Sequence, residues 1–530
     1  MFQKIRELSR DSAIYGLGDV AISVVNFLLL PIYVKYLTQA DYGVLGLLGG
    51  IEVGAKILFR WGLDGSFMRF FYDCEDARAR QRLASTIFFF LVAANGLLLA
   101  ASLSAAPWIA QLIFGDPRRT PALQLVLVNT FAIAFTFFPF HVLRMEKRAA
   151  EFSLLTLARS AATVILRIAL VVGLGLGVLG VVLADTIVTG VLMLVLIRWF
   201  APLIRPTFSR HVLRETLAFG LPRLPHAAAQ QVIAVGDKFI LGMYRPLADV
   251  GMYTMGVSFG LTQKLFLSAF EYAWAPFYYA TSREPDARAV FRTVTTYGIA
   301  VLAVTTAALS ASARDLLDVM TNGIFVDAAG VVGWTAFGVL CQGIYLLTSI
   351  GLNITKQTQY YPIATGTAAG VNVALNFALV PRYGMMGAAW ANAAAYAVQA
   401  GLAFRFSQRV YPVAHEYGRI LRIGVAATIG FALASGIPAL PALAGIFVRA
   451  GTTVIVFGAL LAVSGFFKPE EMRTLARLRR GRQRAPASEL QLHLVTPPEA
   501  TEFAGEIVVA ELPKEQPAAM EPATQRRPGT

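Results

Sequence analysis

The sequence predicts an all-α integral membrane protein, with about 14 transmembrane helices in two parallel-repeat six-helix lobes followed by two extra helices. Composition is the first reason. Of 530 residues, 56% are hydrophobic and 15% charged, and the mean hydropathy is +0.60. A soluble chain carries about 25% charged residues, so the bilayer must be the solvent for this much apolar side chain. Globular enzymes, secreted scaffolds and disordered regulators are excluded on that ground. The second reason is a near-continuous series of apolar runs, each long enough to cross about 30 Å of hydrocarbon. The third is an internal repeat.

The runs follow in order. The first, 12–34, has a basic start (Lys4, Arg6, Arg10). It is not a cleaved signal peptide, because it is long, holds Asp19 and reaches Pro31 without a small-residue cleavage site. The second, 42–63, carries Glu52, Lys56 and Arg60, which step by four and share one helix face. Runs at 83–107, 121–143, 151–173 and 177–197 complete the first set, with Arg159 and Arg167 in the fifth and Asp185 in the sixth. The seventh, 216–242, places Arg223, His226, Gln230 and Asp237 at helical spacing. The eighth, 250–276, has Lys264 and Glu271 two turns apart. Runs at 290–311, 328–352, 361–380 and 384–404 close the second set. The last two are 420–437 and 443–466, the latter with Arg449. The segment 312–327, with Asp315, Asp318 and Asp327, reads as the longest loop on its side.

Lys and Arg concentrate in alternate connections: Arg78, Arg80 and Arg82, then Lys147 and Arg148, Arg210 and Arg214, Arg288 and Arg292, Arg419 and Arg422, and the run 468–484. The opposite side holds only Lys35, Arg118, Arg119, Arg245, Arg314 and Arg382. The positive-inside rule therefore places both termini in the cytoplasm. It also accounts for most of the +14 net charge, so no nucleic-acid partner is implied. The two cysteines, Cys74 and Cys341, fall in a cytoplasmic connection and inside a span, and form no metal or disulfide pattern.

Gly177 to Asp185 (GVLGVVLAD) matches Gly384 to Asn392 (GMMGAAWAN), and Leu37 to Gly43 (LTQADYG) matches Arg245 to Gly251 (RPLADVG). The two separations agree to within one residue. Spans 1–6 and 7–12 are thus copies of one unit, and six being even, both copies have one orientation. The organisation is residues 1–210 as the N-lobe, 211–410 as the C-lobe, 411–467 as spans 13 and 14, and 468–530 as a basic juxtamembrane segment with a Pro-rich disordered tail. The paired glycines read as sites of close helix packing.

Charge inside the membrane is costly. The first two helices of each lobe carry most of the ionisable stripes, as a cavity between two lobes requires. Each stripe also has a plainer reading. Glu52–Lys56 and Asp237–Lys238 neutralise one another, Arg60 and Asp64 fit an interface where arginine snorkels, and Asn372 and Asn376 suit interhelical hydrogen bonds. Basic residues outnumber acidic ones slightly, which points to an anionic cargo. No P-loop and no His-Glu-x-x-His motif is present.

The stretch Asn372 to Ala391 (NVALNFALVPRYGMMGAAWA) resembles the late-span signature of bacterial polysaccharide flippases of the Wzx type, within the multidrug/oligosaccharidyl-lipid/polysaccharide exporter superfamily. Leu30-Pro31 to Asp41-Tyr42-Gly43, Gly62-Leu63-Asp64-Gly65 to Phe70, and Asp237 to Gly242 with Val250 to Tyr253 resemble other parts of the same pattern. The likeness covers about 8–465. It implies a MATE-like membrane transporter, not an enzyme, in the bacterial cytoplasmic membrane. Its work would be flipping of an undecaprenyl-pyrophosphate-linked oligosaccharide for surface polysaccharide biosynthesis. The expected substrate-binding residues are then Lys56, Arg60, Arg223, Lys264 and Gln230. Asp19 and Asp237 would couple transport to a proton or sodium ion, with no other cofactor and no metal. The expected partners are the lipid-linked oligosaccharide, membrane lipids, and polymerase and export machinery. An ion-coupled multidrug antiporter and a lipid II flippase remain alternatives, and a membrane-embedded polymerase lacks the long catalytic loop it would need.

Overall fold

A computed structural model describes residues 30–468, Lys147 excepted. The first expected span up to residue 29, with Asp19 and Asn26, lies outside the described residues, as do the basic segment and tail from 469 onward. The described residues are helical, with no strand among them. In chain order the helices are α1 Leu30–Val34, α2 Gln39–Arg60, α3 Leu63–Asp73, α4 Ala77–Phe114, α5 Thr120–Ile133, α6 Phe137–Met145, α7 Ala149–Ile168, α8 Gly177–Phe200, α9 Arg210–Gly220, α10 Leu224–Tyr244, α11 Leu247–Gly260, α12 Lys264–Thr281, α13 Ala287–Thr321, α14 Ala329–Thr348, α15 Ile350–Ile354, α16 Tyr360–Val410, α17 Tyr417–Ser435 and α18 Ala442–Val463.

Local sequence sets the boundaries. Thr38 and Asp41 form a reciprocal capping box that starts α2, and Asp76 caps α4 through the Ala79 N–H at 2.6 Å. α2 stops where Trp61 and Gly62 both turn left-handed. Gly115, at φ 67°, ends α4. The helices α4 and α13, of 38 and 35 residues, are over 50 Å long at about 1.5 Å per residue, so they extend beyond a hydrocarbon core of about 30 Å.

Ten helical segments among the described residues are long and apolar enough to cross a membrane, so the expected count of about 14 is not reached by that measure. The first expected span is not described. The seventh and eighth are polar and pass through short 3-10 turns at Leu221–Arg223 and Leu261–Gln263. The eleventh and twelfth run together as α16, whose helix is broken at Gly384 (φ 53°, ψ −132°). The expected loop at 312–327 is largely helical: Asp315 and Asp318 belong to α13, because α13 continues to Thr321.

The paired glycines divide their work. Gly177 and Gly384 hold left-handed backbones (φ 54° and 53°) that a β-carbon would strain. Gly180 and Gly387 pack: a β-carbon on them would meet the backbone of Leu170 at 3.2 Å and of Leu379 at 2.6 Å. A positive φ therefore recurs at matching positions of the two repeats. A second reciprocity lies at the α2–α11 crossing. A β-carbon on Gly43 would fall 2.0 Å from the Leu247 carbonyl oxygen, and one on Gly251 would fall 1.8 Å from that of Gln39. Each glycine meets the repeat-equivalent carbonyl of the other helix.

Candidate functional site

α2 is the central element. At its start it crosses α11 through the reciprocal glycines. One and two turns on, Gly46 faces Thr254 and Gly50 faces Phe239 of α10. At its far end the break at Gly62 meets the backbone of Gly220 (2.5 Å from a β-carbon to its oxygen), and Ser66 Oγ donates to the Thr216 carbonyl at 2.8 Å. The length between these two crossings carries the predicted basic stripe.

Along that stripe Lys56 Nζ lies 2.6 Å from Glu52 Oε1. Arg60 sits 3.5 Å from Asp64, and its Nε is buried without a hydrogen-bond partner. At the Gly62–Gly220 crossing, Arg223 stacks on Phe219 (4.1 Å to the centroid), and Arg69 approaches the same ring at 5.3 Å. Arg223 also stands 3.2 Å from where a Gly65 β-carbon would be. So the structure brings Arg60 and Arg223, from the two sequence halves, to one crossing. Among the described residues Arg223 has no carboxylate partner.

The rest of the expected set lies apart. Lys264 is exposed at the start of α12 and forms no ion pair among the described residues. Gln230 accepts from Gln399 Nε2 at 3.4 Å, and Gln399 also donates to Thr365 Oγ1 at 3.0 Å. Asp237 is buried (2% exposed). It accepts from the Tyr253 hydroxyl, from Asn392 Nδ2 at 3.2 Å and from the Lys238 backbone N–H at 2.8 Å. Asn392 also donates to the Ile233 carbonyl at 2.7 Å, tying α10 to α16. Asn376 on α16 donates to Asn372 one turn away, within its own helix.

Sequence reasoning gave no site role to a cluster beside Lys56. Arg167 of α7 grips both oxygens of Asp185 of α8, at 2.9 and 2.6 Å. Tyr33 of α1 and Glu52 of α2 are within its electrostatic reach. Arg159, two turns before Arg167, feels the charges of Asp185 and Glu52 but forms no hydrogen bond or ion pair among the described residues. The signal was present in the paired arginines of the fifth span. What the sequence could not supply was which carboxylate each arginine would reach. Among the described residues no group of three or more His, Cys, Asp or Glu could hold a metal ion.

Chemically the arrangement offers fixed and loosely held cations inside a helical bundle, beside pairs that keep most of the charge balanced. Guanidinium and ammonium groups so placed are chemically suited to anions.

Residues 32–320 match the model of a family described as polysaccharide biosynthesis protein. No curated protein sequence matches the chain. Among solved structures, the lipid II flippase MurJ in an inward closed conformation superposes with a TM-score of 0.65 at 14% identity, over 84% of this chain and 98% of that one. An inward-facing multidrug resistance MATE family transporter of the MOP superfamily gives 0.59 at 15% identity, over 76% and 95%. A MATE transporter in a straight conformation gives 0.51 at 16%, over 79% and 96%. At these identities the likeness concerns the fold, which is that of multi-pass membrane transporters and flippases.

Proposed function

The chain belongs to the polysaccharide biosynthesis protein family, and from that premise we propose that it flips an undecaprenyl-pyrophosphate-linked oligosaccharide across the bacterial cytoplasmic membrane by alternating access, for surface polysaccharide biosynthesis. One observation supports the choice of cargo: among the described residues, several basic side chains of the helical bundle have no carboxylate partner. Arg159, Arg223 and Lys264 all lack a carboxylate at ion-pair distance among the described residues. A charge in hydrocarbon costs about 2.5–3.5 kcal/mol on insertion scales, so an unbalanced cation faces water or an anionic ligand. A drug–cation antiporter would have the opposite imbalance.

On this reading both termini are cytoplasmic, and the lobes 1–210 and 211–410 rock about the two glycine crossings, whose reciprocity supports such a pair. Spans 13 and 14 (411–467) flank them. Lys56, Arg60, Arg223 and Lys264 guide the pyrophosphate, Gln230 contacts sugar, and the lipid tail stays in the bilayer. Polymerase and export proteins take the product. Asp19 and Asp237 couple the cycle to a proton or sodium ion. For Asp237 a proton has a clear consequence: it turns an acceptor oxygen into a donor and breaks the bond from Tyr253 or Asn392.

A second reading is favoured by the MurJ superposition: the lipid-linked cargo is lipid II, which shares the pyrophosphate. Reconstitution tests both. Proteoliposomes loaded with undecaprenyl-pyrophosphate oligosaccharide or lipid II, with and without proton or sodium gradients, should show leaflet exchange of the former. Exchange of lipid II alone selects the second reading. Exchange of neither, with export of a cationic dye, rejects both.

A further inference from the structure

We propose that a pocket where α2, α5 and α8 begin binds the phosphodiester headgroup of an interfacial phospholipid, through the guanidinium groups of Arg118 and Arg119. This goes beyond the proposed function and holds whatever the cargo is.

The pocket has a volume of about 230 Å³. It is bounded by Asp41 near the start of α2, by Arg118 and Arg119 just before α5, and by residues 175–179 leading into α8. Three membrane-length apolar segments, Gln39–Asp73, Pro117–Leu143 and Gly177–Leu203, start at this end. The pocket therefore lies at the rim of the apolar bundle, at the depth of the headgroups. On the proposed orientation that rim is the outer one.

Local sequence builds the lining. Asp116 accepts from the Arg118 N–H at 2.9 Å, and Pro117 opens a 3-10 turn that places the two arginines together at the entry to α5. Asp41 spends Oδ2 on the cap of α2, accepting from the Thr38 N–H at 3.1 Å and hydroxyl at 2.8 Å. Its Oδ1 lies 3.5 Å from Arg119 Nη2, a long contact that leaves most of the guanidinium fork to a ligand. The 175–179 wall is bare backbone: Gly175 and Gly177 hold φ 65° and 54°, with nothing within 4 Å of either β-carbon position. The N–H groups of the first turn of α8 have no acceptor in their own helix. Two guanidiniums and these N–H groups against one carboxylate make a donor-rich lining, which suits phosphoryl oxygens.

Two further observations point to a lipid. In the second repeat the matching turn is covered by a side chain of its own: the Arg245 guanidinium lies 3.5 Å from the Gly384 β-carbon position and donates to the Pro381 carbonyl at 3.1 Å. The first repeat has Leu37 where the second has Arg245, and Leu37 is buried. The first repeat thus leaves open a turn that the second closes. Beside the open turn, Leu174 and Leu176 are 67% and 37% exposed. An apolar lip on a polar pocket fits the glycerol and acyl end of a phospholipid, whereas a free phosphate gains nothing from it.

The test uses full-length protein stripped of lipid in detergent and titrated, by native mass spectrometry, with phosphatidylglycerol, phosphatidylethanolamine, diacylglycerol and inorganic phosphate. Both phospholipids should bind and diacylglycerol should not. Arg118→Gln should weaken phospholipid binding about tenfold, the value of one charge-assisted contact, and Arg118→Lys should recover part of it. Arg119→Gln should act in the same direction. Should it fail to fold without its Asp41 contact, Arg118→Gln still decides, because the hydrogen bond of Arg118 to Asp116 comes from the backbone. Arg382→Gln, at an exposed arginine of the second repeat, should leave affinity unchanged. Unchanged affinity in Arg118→Gln overturns the site. Equal weakening by Arg382→Gln shows diffuse surface charge and also overturns it. Diacylglycerol or inorganic phosphate binding as tightly as the phospholipids overturns the headgroup assignment, the second naming a soluble ion as the occupant.

Discussion

Gly251→Ala places a methyl group 1.8 Å from the carbonyl oxygen of Gln39, and Gly43→Ala places one 2.0 Å from that of Leu247, whereas ordinary contact begins near 3.4 Å. Both obstacles are backbone atoms, so no rotamer change relieves them, and α2 and α11 must part by roughly 1.5 Å. Overpacking of this kind costs about 1–3 kcal/mol. That disfavours any state in which the crossing is closed by roughly 5- to 150-fold. If the crossing seals one mouth between the lobes, Gly251→Ala populates the state open at that mouth. Thr254 reports on it, because its hydroxyl lies against Gly46 in the closed crossing. In a background lacking Cys74 and Cys341, Thr254→Cys should label with a membrane-impermeant maleimide at least fivefold faster in Gly251→Ala, and from one side only. Gly49→Ala is the control, since nothing lies within 4 Å of its β-carbon position, and it should leave the rate unchanged. Gly220→Ala, whose β-carbon would meet the Gly62 carbonyl oxygen at 2.8 Å, should raise access from the other side. Equal labelling in folded Gly251→Ala and unsubstituted protein refutes the role of the crossing as a seal.

Three further outcomes follow from the same packing. Arg449 of α18 lies 2.9 Å from Asp315 of α13, both largely buried at 14% and 12% exposure. Asp315→Asn leaves that guanidinium, among the described residues, with two long carbonyl contacts, to Ala434 and Pro438 at 3.4 Å each. The expected loss is about 3 kcal/mol, the lower range for a broken buried pair, read as a lower melting temperature in detergent and partly restored by exchanging the two charges; an unchanged melting temperature refutes it. Glu416 accepts from Arg419 at 2.7 Å, from Thr296 at 3.2 Å and from Lys468. Burial alone would raise its carboxyl pKa, but the hydrogen bonds from Lys468 and Arg419 outweigh it and hold the group below its ordinary value of 4.5. A depressed carboxyl stabilises the fold fully above the unfolded value and loses that contribution as pH falls through the folded one. Glu416→Gln should therefore lower stability at pH 7 and flatten the acid limb below about pH 4.5, as followed by thermal unfolding across pH. Gly384→Ala forces a β-carbon into φ 53°, ψ −132°, a region that costs about 1–3 kcal/mol for other residues. It should destabilise α16 while Gly366→Ala, with open space around it, is neutral in the same melt.

The helices were legible because hydropathy is a one-dimensional property that the bilayer reads directly. The repeat was legible for a different reason: GVLGVVLAD and GMMGAAWAN preserve a turn that only glycine makes at its first position. Their conformational role was not legible, since glycine for packing and glycine for positive φ are the same letter. Spans 7 and 8 were harder to equate with membrane helices because polar residues interrupt them where α10 and α12 begin. The stripe on α2 was legible from its spacing of four. Its counterpart on α7 was not, because Arg159 and Arg167 find their electrostatic partners on α2 and α8, and no periodicity within one helix reveals a carboxylate on another. The same limit hid Asp315–Arg449, whose members sit far apart in sequence and meet only when α18 packs on α13.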